Sequence, residues 1–295
     1  MRFTALALLA ALSCTPGDAG VPGAEPAAAG CRPAGSRPLP SQVRETSGLA
    51  LSRRHPGLLW THNDSGGDPV LFAVDTTGAL RARVRVTGAE NADWEDVAVG
   101  PCPAGECLYV ADIGDNEAGR REVVVYRLPE PGPGDAESAP AERLRLRYPG
   151  GPRDAEALFL LPPGDLFVVD KGQRGEVSLY RAPAAALRPG AAATLERVAA
   201  LGAGEAERLN AVTGASATPD GKWVAVRSYT ALHLFRGDDL RAGATAPVER
   251  VDLAPLEEPQ GEAVALRADG AVFLSSEAQG KREPGTLSRL ACTLP

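Results

Sequence analysis

VVVYR (Val123–Arg127), VSLYR (Val177–Arg181) and LHLFR (Leu232–Arg236) are one motif written three times, an alternating strand ending in an aromatic residue and arginine. GTLSR (Gly285–Arg289) keeps the arginine, and LFAVD (Leu71–Asp75) keeps the alternation. From Asp75 the steps to Arg127, Arg181, Arg236 and Arg289 are 52, 54, 55 and 53 residues. A period of about fifty residues marks a repeat architecture, in which each unit buries its faces only against its neighbours.

A second recurring element precedes each of these strands: SGLAL from Ser47, EDVAV from Glu95, EALFL from Glu156, TGASA from Thr213 and EAVAL from Glu262. Between the two lies a third, in GLLWTHND, CLYVADIGDN, DLFVVDKG, KWVAVRSY and AVFLSSEA. A fourth follows most units, as in ARVRVTG (Ala82–Gly88) and RLRLRYPG (Arg143–Gly150). Turn signals such as PPGD, TPDG and RADG separate the first strand from the next. Four short antiparallel strands per repeat predict an all-β fold, a β-propeller.

Consecutive first strands are 48, 61, 57 and 49 residues apart, none long enough for two blades. The 33 residues after Glu262 and the 16 from Cys31 to Thr46 together make one more blade length. Five blades follow, the last completed by an N-terminal strand near Arg37–Arg44, with six blades or a two-domain enzyme as alternatives. AAATLERVAAL (Ala191–Leu201) is ambiguous, since its alanine content also suits a short helix.

The N-terminus reads as an export signal over residues 1–13: Arg2, an apolar run from Ala5 to Leu12, then ALSC ending in Cys14. This order resembles a bacterial lipobox, which implies lipidation of Cys14; cleavage further on, without lipid, is the alternative. Residues 14–30, nearly all Ala, Gly and Pro, form a tether, and residues 31–295 a single domain. Removing Cys14 leaves four cysteines, an even set that suits disulfides in an exported chain. Three pairings exist. Cys102 and Cys107 flank the turn PAGE and can meet locally, and Cys31 with Cys292 is then the remaining pair, closing the ring.

In a propeller the first strand of each blade lines the central channel and the second returns antiparallel, so starts of first strands and ends of second strands share one mouth. First-strand starts supply Glu45, Glu95, Asp96, Glu156, Thr213 and Glu262 to that mouth. Second-strand ends supply His62, Asn63, Asp64, Asp112, Asp115, Asn116, Asp170, Lys171, Arg227 and Glu277. Asp and Asn after strands also serve as turn formers, but the recurrence of Glu at one repeat position exceeds what turns require. The expected metal ligands are Glu95, Asp96, Asp112, Glu156, Asp170 and Glu262. Oxygen donors without thiolate or paired histidine suit Ca²⁺ or Mg²⁺. The expected ligand contacts are His62, Asn63, Asp64, Trp94, Lys171, Arg227 and Glu277, with burial between blades as the other use of Trp94.

A net charge of −7 without a basic patch argues against nucleic acid. No nucleophile elbow, Walker loop or dinucleotide fingerprint occurs. A Ser-His-Asp hydrolase would need His62 with Ser65 or Ser228. ETSGLALS, LLWTHNDSGG, DWEDVAVG and LYVADIGDN, within residues 45 to 131, resemble exported bacterial propellers of the SdiA-regulated and esterase-like phytase groups. That resemblance implies a periplasmic or surface propeller, and its phytase-like side implies calcium-assisted hydrolysis of phosphate esters with Lys171 and Arg227 toward phosphate. Three functions are therefore carried forward. The first is a monomeric binding propeller that holds a divalent cation and a small polar or anionic ligand, touching the membrane only through its lipid. The second is a hydrolase acting on phosphate esters or, through paired carboxylates, on glycosides. The third is an envelope interaction scaffold.

Cys14→Ser is expected to move the protein from the membrane fraction to the soluble one, with the lipid mass lost from the N-terminus in intact-mass spectrometry. Membrane association that survives the substitution contradicts the lipobox reading.

Overall fold

The computed structural model describes residues 30–172, 175–201, 211–280 and 283–294. The expected signal, Cys14 and the tether as far as residue 29 lie outside the described residues. The first described element is β1 (Gly30–Pro38), whose partner comes only near the C-terminus. Blade one is β2 (Thr46–Leu51), β3 (Leu58–Asn63), β4 (Val70–Asp75) and β5 (Leu80–Arg85). Blade two is β6 (Trp94–Cys102), β7 (Gly105–Asp112), β8 (Val123–Pro129) and β9 (Glu142–Arg147). Blade three begins with β10 (Ala155–Leu161), β11 (Asp165–Asp170) and β12 (Val177–Ala182). The ambiguous alanine segment then forms two strands rather than a helix. β13 (Ala192–Thr194) pairs parallel to β9 on blade two, and β14 (Glu196–Leu201) completes blade three. Blade four is β15 (Val212–Ala217), β16 (Trp223–Ser228), β17 (Ala231–Arg236) and β18 (Glu249–Asp252), with the short helix α1 (Gly237–Arg241) after β17. Blade five is β19 (Gly261–Leu266), β20 (Ala271–Ser276), β21 (Thr286–Thr293) and β1. The fold is a five-bladed β-propeller.

The repeat was informative because both faces of each blade are buried. Alternate residues of a strand point to opposite faces, and five apolar clusters fill the five gaps between neighbouring blades. Tyr109, Leu144, Leu158 and Tyr180 join blades two and three, for instance, and Trp60, Trp94, Val110 and Tyr126 join blades one and two. The ring closes between blades one and five, where Leu49, Leu59 and Phe72 meet Ala263, Ala265 and Phe273. Thr46 Oγ1 bridges the same seam, 2.9 Å from Thr61 Oγ1 and 3.0 Å from Ser275 Oγ.

The closing strand is Gly30–Pro38, earlier than the expected Arg37–Arg44. Within it Cys31 lies opposite Cys292, to which it is disulfide-bonded. It stops because Pro40 has no N–H for the ladder, and the chain turns at once, the Val43 amide donating to Pro40 O (2.9 Å). Cys102 and Cys107 form the second disulfide across the β6–β7 hairpin. Both bonds fit an oxidising, exported setting. Among the described residues no helix is long and apolar enough to cross a membrane.

Inner strands leave one backbone edge facing the channel, and Asp96 serves that edge. Its carboxylate accepts the amides of Val97 (2.8 Å), Leu158 (2.8 Å) and Ala215 (3.2 Å), with the Leu49 amide also turned to it. The donors come from blades one to four. Asp96 was expected among the metal ligands; it is instead a fully buried tie at the channel axis. Burial raises its carboxyl well above the ordinary range, while the amides pull the other way.

Asp96→Asn keeps the shape but presents an NH₂ to N–H donors, and a buried donor left unpaired costs about 1–3 kcal/mol. A stability loss of that size is expected in denaturant titrations, with the far-ultraviolet circular dichroism of the folded state unchanged.

Candidate functional site

The mouth is shaped by an irregularity that recurs in all five blades. Pairing between first and second strands slips between Thr46 and Leu49, Trp94 and Asp96, Ala155 and Ala157, Val212 and Gly214, and Gly261 and Ala263. The residues skipped are Ser47 with Gly48, then Glu95, Glu156, Thr213 and Glu262. A bulge leaves its residue unpaired and re-aims the side chain, here toward the next blade and the channel. Ser47 Oγ donates to Glu95 O (2.8 Å) and lies 3.3 Å from Glu95 Oε2, and Thr213 Oγ1 donates to Gly261 O (3.1 Å).

Two carboxylate groups form around Glu95. Ligand oxygens of Asp64, Asp93 and Glu95 lie within 4.8 Å of one another, as do those of Glu95, Asp154 and Glu156. Glu95 and Glu156 are 4% and 3% exposed, so burial and not solvent sets their chemistry. Gly114 preserves the space beside them, since a Cβ there would collide with Glu95 Oε1 and Asp93 Oδ2. Asp64 Oδ1 and Asp154 Oδ2 are buried without a hydrogen-bond partner. The other Asp154 oxygen accepts the Asp115 amide (2.8 Å).

Burial is the main cause of every raised carboxyl at this mouth. Glu95 is held well above its usual range, the charge of Glu156 adding to the effect, and Glu156 rises to about 7 against the pull of Lys171. Asp93 rises to about 6, helped by Asp64 and Asp154, and Asp64 is raised as well. Glu262 reaches about 8 and Glu277 about 7. Lys171 Nζ lies 2.6 Å from Glu156 Oε1; its burial works against the charge, but that carboxylate outweighs it and raises the ammonium. Gln260 Nε2 donates to Glu262 Oε1 (2.7 Å). Tyr229, 39% exposed at the end of the β16 segment, stands within electrostatic reach of Lys171, Glu156, Glu262 and Glu277.

Several expected residues have other duties. Asp112 pairs with Arg120 (2.7 Å) and accepts the amides of Ala92 and Asp93, bracing the acidic loop from behind. Asp170 accepts the Ser178 amide (2.7 Å) and lies outside both carboxylate groups. Glu262 also lies outside them. Arg227, expected to meet an anion, is fully buried. It donates to Ala263 O and Ser275 O and pairs with Glu258, so its guanidinium is committed to the joint between blades four and five. Asn63 is equally occupied: its Oδ1 accepts the amides of Arg44 and Glu45, and its Nδ2 donates to Gln42 O. His62 is fully buried edge-on to Trp94, ring centres 5.5 Å apart, and burial lowers its pKa to about 4. Trp94 is itself buried and donates to Glu90 O, so it packs between blades instead of stacking on a ligand.

Asp93, Asp154 and Tyr229 were not among the expected ligands. A signal for the first two was present. Each stands two positions before a bulge glutamate, in DWE and DAE, and Glu45 and Gln260 occupy the same place in blades one and five.

No family model matches the sequence, and a search of curated proteins finds no relative. Among solved structures, the chain is similar to the PQQ-bound form of an aldose sugar dehydrogenase from Streptomyces coelicolor, at a TM-score of 0.52 and 14% identity. The match covers 91% of this chain and 99% of that one. The likeness is one of fold.

The pH dependence follows from the raised acids. A carboxyl whose folded pKa lies above its unfolded value binds more protons in the native state, so stability falls as pH rises through that interval. For Glu262 the interval runs from 4.5 to about 8. In chelator, the denaturant midpoint is expected to be lower at about pH 8 than at about pH 5, and Glu262→Gln should flatten that slope by the equivalent of about 1–3 kcal/mol.

Proposed function

We propose that the protein is an exported binding propeller whose upper mouth holds a divalent cation, Ca²⁺ or Mg²⁺, through Asp64, Asp93, Glu95, Asp154 and Glu156. The observation that carries this reading is the pair of unpartnered buried oxygens, Asp64 Oδ1 and Asp154 Oδ2, one in each of two carboxylate groups that share Glu95. Buried polar atoms are ordinarily satisfied, and crowded acids are strained unless a cation neutralises them. Hard oxygen donors in this number suit Ca²⁺ or Mg²⁺ better than zinc.

The bound ion leaves room for one further partner, a small polar or anionic ligand that completes its coordination. Lys171 and the exposed Tyr229 flank that position, the first able to turn from Glu156 once the ion neutralises that carboxylate. Export is supported by the two disulfides. A lipid anchor at Cys14 and a monomeric state belong to the same proposal. The PQQ of the similar dehydrogenase is not carried over, since 14% identity reaches no further than the fold.

Metal-assisted hydrolysis of phosphate esters is the second reading. It is favoured by the ammonium of Lys171 beside the carboxylate groups and by the phytase-like motifs of the first two blades. The commitment of Arg227 to Glu258 weakens it. Glu95 and Glu156 offer oxygens within 4.8 Å of each other, closer than the about 5–9 Å between the carboxyls of a glycosidase pair.

Calorimetry with Ca²⁺ and with Mg²⁺ is the test. Wild type is expected to bind at submillimolar concentration, more tightly at about pH 8 than at about pH 5, because protons on the raised acids compete with the ion. Asp64→Asn/Asp154→Asn should abolish binding and the accompanying rise in melting temperature. No binding at millimolar Ca²⁺ or Mg²⁺ would leave the acids as a structural rim. Phosphatase activity lost in chelator and restored by Ca²⁺ would select the hydrolase.

A further inference from the structure

The channel has a second chamber that the acidic mouth does not reach. Leu49, Val97 and Ala215, whose amides turn to Asp96, also line the inner end of a cavity of about 550 Å³ on its other side. It opens at the lower mouth, where the first strands end. Leu51, Val99, Phe159, Leu160, Ala217 and Leu266 form its walls, so all five inner strands contribute. That volume is within the ~300–1,000 Å³ typical of small-molecule sites, which are mostly apolar with a few placed polar groups.

Two features narrow the occupant. Asp96 takes the floor amides, Ser216 Oγ accepts the Leu266 amide (3.0 Å), and most of the side chains that line the walls are apolar. The deep part therefore rewards an apolar body. Formal charge among the lining residues is confined to Arg53, Arg267 and Asp269, two guanidiniums against one carboxylate, in a protein of net charge −7. Arg53 is held by Glu106 (2.8 Å) and is 19% exposed, whereas Arg267, 47% exposed, pairs among the described residues with its neighbour Asp269 (3.0 Å) and can turn to a ligand.

We infer that the lower chamber binds a small amphiphilic anion, with an unbranched apolar tail along the channel and a carboxylate at the Arg267 rim. This site is independent of the cation site, from which the Asp96 tie separates it.

The test is calorimetry of the full chain with hexanoate, octanoate and decanoate, below their micellar concentrations. Saturable 1:1 binding is expected, tightening about threefold to fourfold per added methylene. Decanoate should bind more tightly than decanol, and Arg267→Gln should remove that preference. Ala217→Trp and Val99→Trp each place an indole in the chamber and should weaken decanoate at least tenfold, while the Ca²⁺ response and melting temperature stay as in wild type. If one of them fails to fold, the other decides. Absence of saturable binding, affinity independent of chain length, equal binding of decanol, or undiminished binding by a folded tryptophan variant would each overturn the inference.

Discussion

Everything in this molecule is arranged around the contact between the Asp96 carboxylate and the backbone amides of the inner strands. A propeller of five blades brings five unpaired strand edges to one axis, and edges cannot be left unsatisfied where water is excluded. Asp96 answers this with one side chain for blades one to four. Equivalent positions in the other blades are Gly48, Ala157, Gly214 and Ala263. They are small because neighbouring backbone approaches there: a Cβ on Gly48 would lie 2.5 Å from the Val97 amide nitrogen, and one on Gly214 2.8 Å from Glu262 O. One larger residue fits the axis, and a second would have no space. The same contact divides the channel into chambers of opposite character, acids above and apolar walls below.

The bulge next to that position joins the fold to the site. Because pairing slips by a residue in every blade, the side chain before the small residue leaves the ladder and faces the mouth. In blades one and four it is a hydroxyl that hydrogen-bonds to the next blade, Ser47 to Glu95 O and Thr213 to Gly261 O. In blades two, three and five it is a glutamate. One backbone device therefore supplies stitching in some blades and ligand capacity in others. Burying three glutamates this way costs stability near neutral pH, which ring closure alone does not require.

The period of the repeat made blade number, strand order and the acidic mouth readable from sequence, and the even cysteine count made the disulfide pairing readable as well. These properties depend on spacing, which survives any rotation of a side chain. The closing strand was misplaced by several residues because length fixes how much chain a blade needs and not where pairing starts. Side-chain roles at the mouth were less accessible. Alternation assigns a residue to a face only while the ladder is regular, and the bulge sits where Glu95 and Asp96 must be told apart. Glu95 goes to the mouth and Asp96 to the axis. A column reading Gly, Asp, Ala, Gly, Ala was visible in the aligned repeats and would have marked Asp96 as the exception. Arg227 and His62 were at the expected end of their strands, but their complete burial depends on neighbouring blades that no single-strand pattern describes.

What separates the site from its surroundings is hydrogen-bond satisfaction and not charge. Asp112 has Arg120 and two amides, Asp115 accepts the amides of Gly119 and Arg120, and Asp170 has the Ser178 amide; each of these acids shapes a loop. Asp64 and Asp154 are carboxylates of the same mouth, and each retains a buried oxygen with nothing to accept. A protein can leave such an atom unpaired only at a cost comparable to a lost hydrogen bond. The two atoms belong to two carboxylate groups that share Glu95. Lys171 shows the limit of what the described residues supply: its ammonium reaches Glu156, and among them no ion pair reaches Glu95, Asp64, Asp93 or Asp154. Burial answers the shortage of cations by raising these carboxyls, so that part of the mouth's charge is held as protons.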